Sequence, residues 1–209
     1  MENENTNKVQ IKNNTELADN LKFMRSIIEK TYRSFDQGSP LFIVFGLIFL
    51  LGLPATQYLV KTPQLKEFVQ PMWIILWVIG AGVAIFNGLR CEIREKKTGH
   101  ISQLSNQIGF IWYILLLNAS IWSIGPFSVF LGKQAFLWAA IFGFGLSIEG
   151  ILSSKEWLFG GVAILVSILV ASIIKGYAYV ILGIAIGLGC IIPAIITRRN
   201  YIKKEKSYE

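Results

Sequence analysis

The side chains able to do chemistry inside this chain are few, and the most conspicuous is Glu149, set in the stretch GFGLSIEGILSSKEW among glycines and apolar residues. An ionisable group in an apolar segment of this kind costs on the order of 3 kcal/mol if it reaches the centre of a bilayer, so it is normally there for a reason. Two readings stand for it. In one, Glu149 is satisfied or interfacial, about a turn from the end of its segment and close enough to a cytoplasmic cation such as Arg90 or Lys155 to pair. In the other, it handles a proton or cation, with Asn87 in the same polar cluster and Asn118 contributing from the middle of a neighbouring segment.

Other chemistry is ruled out by what the chain lacks. It has a single histidine, His100, and only two aspartates, Asp19 and Asp36. The apolar segments therefore cannot supply the two to four His, Cys or carboxylate ligands of a metal site. An HExxH motif, a paired intramembrane aspartate, a GxxxxGK[ST] phosphate loop and a Ser-His-Asp triad are all missing. We expect no catalytic residues, no cofactor and no enzyme.

The elements that must position Glu149 follow from hydropathy. The 209 residues are 53% hydrophobic and 16% charged, and the apolar residues come in long blocks. A bilayer core of about 30 Å takes roughly 20 helical residues per crossing. Six stretches approach that length: 41–60, 72–89, 108–125, 135–153, 157–174 and 177–196. Backbone polar groups left unpaired in hydrocarbon are costly, so each should be a helix. The expected fold class is all-α: a polytopic membrane protein with six transmembrane helices in a domain over 39–197, preceded by an N-terminal amphipathic helix.

Charge orients the bundle. Sixteen Lys and Arg fall before the first span, in 90–107, in 154–156 and after the last span, against four on the other side, Lys61, Lys66, Lys133 and Lys175. The positive-inside rule then places both termini in the cytoplasm of a multi-pass cell-membrane protein. The formal charge of +7 is explained by attraction to lipid headgroups and calls for no nucleic acid. Cys91 and Cys190 both face the reducing side and should be free thiols.

Ahead of the spans, residues 1–14 are polar and read as disordered. From 15 to 38 the pattern becomes an amphipathic helix: Leu17, Leu21, Met24, Ile28 and Phe35 recur on one face, with Asp19, Lys22, Arg25, Glu29 and Arg33 on others. It either lies in the inner headgroup layer or binds a partner helix or its own copy. At the other end, Pro193 should kink the last span, and 198–209 forms a basic cytoplasmic tail. Small residues four apart (Gly80/Ala84/Gly88, Ala139/Gly143/Ser147, Ala163/Ser167/Ala171, Gly183/Gly187) mark packing faces. The short links after the fourth and fifth spans demand tight antiparallel neighbours.

The run from 143 to 199, with its glycine-rich Glu-bearing span, the turn SSKEWLFGG and the ending IIPAIITRR, resembles small uncharacterised polytopic membrane proteins of bacteria; LKFMRSIIEKT is similar to their cytoplasmic lead-in. The resemblance covers roughly a third of the chain. The leading expectation is a regulatory or scaffolding subunit that acts by helix association in the lipid bilayer, with its own copy or with a membrane or cytoplasmic protein. The alternative is a small transporter or channel, working as a homo-oligomer with Glu149 in its pathway. A lipid-modifying enzyme comes third.

Overall fold

The computed structural model describes residues 40–98, 103–123, 133–174 and 176–206. Among them are six α-helices: α1 (Pro40–Lys61), α2 (Val69–Thr98), α3 (Gln103–Ser123), α4 (Gln134–Leu152), α5 (Lys155–Ile173) and α6 (Ala178–Lys206). A short 3-10 helix, Pro63–Phe68, links α1 to α2. The polar N-terminal stretch, the amphipathic segment carrying Leu17, Leu21, Met24, Ile28 and Phe35, and His100 lie outside the described residues.

Five helical segments are long and apolar enough to cross a membrane: Pro40–Lys61, Pro63–Arg90, Gln134–Leu152, Lys155–Ile173 and Ala178–Asn200. The expected sixth, 108–125, is α3, whose apolar part Gln107–Ile121 is shorter. At 1.5 Å per residue those fifteen residues extend about 22 Å, against about 30 Å of hydrocarbon. Gln103, Ser105, Asn106 and Gln107 make its first turns polar, and Ser123 is the last residue of α3 that the structure describes. Around the bundle, Val78, Phe159, Leu169 and Ile173 are 67%, 71%, 65% and 79% exposed. Such an apolar exterior is untenable in water and suited to lipid.

Helix ends follow local chemistry. Thr62 is extended ahead of Pro63, which opens the 3-10 turn. The α4–α5 link is Ser153-Ser154, closed by Ser153 N–H donating to the Glu149 carbonyl at 2.8 Å and Trp157 N–H to the Ser154 carbonyl at 3.2 Å. α6 continues past Pro193 and through the basic residues to Lys206, because helical hydrogen bonding does not depend on side-chain polarity.

As the short links require, α4 packs extensively on α5, and α5 on α6; α3 leans on α4. Glycines set the spacing. A Cβ on Gly161 would strike the Ser147 hydroxyl and backbone and the Gly143 carbonyl, and one on Gly150 would strike the backbone of Leu158, so α4 and α5 touch main chain to main chain. Gly160 meets Gly189 of α6 in the same way. α1 closes on α6 through Gly46, which faces the Gly187 carbonyl. Such close approach maximises dispersion contact where lipid supplies little hydrophobic drive.

α1 is the central element. Phe42, Phe45 and Phe49, spaced three and four apart, present one face to an aromatic cluster: Phe42 meets Trp112 of α3 at 5.3 Å and Trp157 of α5 at 4.6 Å, while Phe49 meets Phe142 of α4 at 4.9 Å and Trp73 of α2 at 5.9 Å. Together with its α6 contact, α1 touches all five other helices.

Candidate functional site

We call the end of the bundle where α1 begins the near end and the opposite one the far end. Glu149 sits near the near end of α4 and is only 5% exposed. Its position is prepared one turn earlier. Gly145 has no side chain, and a Cβ there would land 2.7 Å from the Trp112 ring, so the indole lies directly on the α4 backbone. From that seat Trp112 Nε1–H donates to Glu149 Oε2 at 3.0 Å. Gly145 and Glu149, four apart on one face, thus form a cradle and an acceptor for one tryptophan. The edge contact with Phe42 holds the ring from the other side. Of the cations that the sequence offered as counter-charges, Arg90 and Lys155 are both exposed; the partner seen is the indole.

The same end gathers further polar groups. Buried side-chain atoms without a hydrogen-bond partner among the described residues are the Ser153, Ser154 and Thr197 hydroxyls and Trp157 Nε1–H. Ser153 and Ser154 form the turn one helical step beyond Glu149. Thr197 follows Pro193 by one turn of α6, and Pro193 packs against Gly160. Cys190 is a fully buried free thiol. Unpartnered buried donors cost about 1–3 kcal/mol each, so this end is polar beyond what packing needs.

Of the other candidates, Asn87 is half-buried on α2 and Asn118 is exposed on α3. Asn118 lies six residues beyond Trp112, about 9 Å along the axis, and does not share the Glu149 contact. Pro193 is buried inside a continuous helix. No group of three or more His, Cys, Asp or Glu able to hold a metal occurs among the described residues. Sequence reasoning did not single out Trp112; the signal available was a glycine one turn before the lone acid.

No family model matches the chain, and no solved structure does. One curated protein is similar over 106 residues at 29% identity: a cytochrome c oxidase subunit 1 homolog of Azorhizobium caulinodans. The match takes in 49% of this chain and 19% of that protein, so the chain spans about a fifth of the length of its relative. Fold and distant similarity agree on a multi-pass helical membrane protein.

Proposed function

We propose that this is a non-catalytic cell-membrane subunit that works by helix association, with its near end and both termini in the cytoplasm. The observation carrying this reading is α2. Its span, Pro63–Arg90, is covered by the rest of the chain over only 6% of its apolar window, against 50% for the spans of α4 and α6. Its open side includes Gly82 and Gly88, where an added Cβ would meet nothing within 4 Å. A helix held so lightly, with small residues turned outward, can take a second helix at close range without disturbing its own bundle. The relative's description as a subunit homolog supports a chain that functions within an assembly. The amphipathic segment with Leu21 and Ile28 would add a cytoplasmic contact.

The test exploits the free space at those glycines. Gly82→Leu and Gly88→Leu have room inside the chain's own fold, so each should leave expression and melting unchanged while removing the species larger than the 23.5 kDa monomer from native gels of mildly solubilised membranes. Assembly that survives both substitutions, and Leu21→Asp with Ile28→Asp as well, would defeat the proposal. A transport path through Glu149 ranks second, because that acid is engaged by Trp112.

A further inference from the structure

Among the described residues, α3 packs along α4 and makes no extended contact with α2, which leaves a gap between them at the far end. A cavity of about 710 Å³ occupies the gap, and a narrower one of about 250 Å³ leads inward from it; both are walled by Val69, Trp77, Gln134 and Trp138. Volumes of this order suit a small amphiphile or the head and upper chain of a lipid. The wall changes character with depth. Lys66, Glu67 and Gln70 stand at the mouth on the 3-10 turn and the first turn of α2. Trp77 and Trp138, 4.8 Å apart, form an aromatic floor. Leading inward, Phe49, Leu53 and Trp73 line an apolar slot whose polar atoms are already used: Trp73 Nε1–H donates to Thr56 Oγ1 at 2.9 Å, and the Thr56 hydroxyl to the Gly52 carbonyl at 2.7 Å. Ile74, on the wall of the larger cavity, is 57% exposed on the lipid side, so the opening faces the bilayer laterally.

We propose that this cleft between α2, α3 and α4 is a specific site for a zwitterionic aminophospholipid of the adjoining leaflet. The argument is charge complementarity at the mouth. One cation and one acid on successive residues, Lys66 and Glu67, match a headgroup that carries a phosphate and a primary ammonium. The Gln70 and Gln134 amides, both exposed, add hydrogen-bond capacity, and the apolar slot receives the start of an acyl chain. An anionic headgroup would satisfy Lys66 and be repelled by Glu67. The cleft lies toward the far end of α2 from Gly82 and Gly88, on which the association proposal rests.

The experiment is native mass spectrometry of the full chain in mild detergent with phosphatidylethanolamine, phosphatidylglycerol or phosphatidylcholine at equal concentration. One phosphatidylethanolamine per chain should remain bound under activation that strips the other two lipids. Lys66→Gln and Glu67→Gln, both at exposed positions, should each weaken its retention about two- to fivefold, the effect of deleting one partly exposed ion pair. Exchanging the two charges, Lys66→Glu with Glu67→Lys, should restore part of the loss. Preferential retention of phosphatidylglycerol, equal retention of all three lipids, or indifference to the Gln variants would overturn the proposal.

Discussion

Trp112→Phe removes the one donor seen on a nearly fully buried carboxyl, and its consequences can be worked out. Glu149 is 5% exposed and its bond from the half-buried Trp112 is 3.0 Å long, so the carboxyl has little water to fall back on. Hydrogen bonds between side chains in membrane bundles are worth about 0.6 kcal/mol on average and up to about 1.7 kcal/mol. Burial of the acceptor places this one in the upper half of that range. The substitution also loses indole contact with the Gly145 backbone, Phe42 and Phe142, which brings its total cost to about 2–4 kcal/mol. Glu149→Met removes the acceptor together with its need for a donor and should cost much less, while Glu149→Gln keeps an acceptor oxygen and should stay close to wild type. The decisive quantity is the coupling. In the Glu149→Met background, Trp112→Phe should be milder by about 1 kcal/mol. Reversible unfolding in mixed micelles, followed by far-ultraviolet circular dichroism, measures all four corners of the cycle. If Trp112→Phe costs the same in both backgrounds to within about 0.3 kcal/mol, the bond contributes nothing and Glu149 is not held as described.

Two further outcomes follow from the packing. Gly150→Ala drives a methyl into the Leu158 backbone and should destabilise by about 1–3 kcal/mol or more, whereas Gly82→Ala, with open space around it, should be neutral in the same assay. Cys190 is completely buried, beside Gly46 of α1, so in a Cys91→Ser variant a maleimide should label the protein only after denaturation; rapid labelling of the folded protein would contradict the α1–α6 packing.

Spans were legible because lipid imposes a simple rule, a long apolar run whose backbone closes on itself: α4 and α5 begin and end close to where hydropathy placed them, and α6 begins there but runs on to Lys206. α3 was read as long as the others because 108–125 is apolar nearly throughout, whereas the apolar helical part among the described residues is Gln107–Ile121. Packing was only half legible. Gly143 and Ser147 do form a contact face, and Gly183 and Gly187 do meet α1, but Gly88 faces open space and Ala163 is exposed. The closest approaches, at Gly150, Gly160 and Gly161, fall outside the spacing-of-four stripes, because which glycine becomes a contact depends on the helix opposite it. The aromatic face Phe42-Phe45-Phe49 was equally hidden, since apolar residues surround it on every side and no amphipathic contrast marks the inward direction. Glu149 itself stood out by type; its partner did not, because a tryptophan near a span end has an ordinary explanation at the interface.

The central claim, that α2 offers its open side to another protein, is tested most directly by photocrosslinking in native membranes from Val78 of α2, with Leu169 of α5 as a control of similar exposure, 67% against 65%. The account predicts a discrete protein adduct from Val78 and lipid adducts alone from Leu169. Lipid adducts alone from both positions would contradict it.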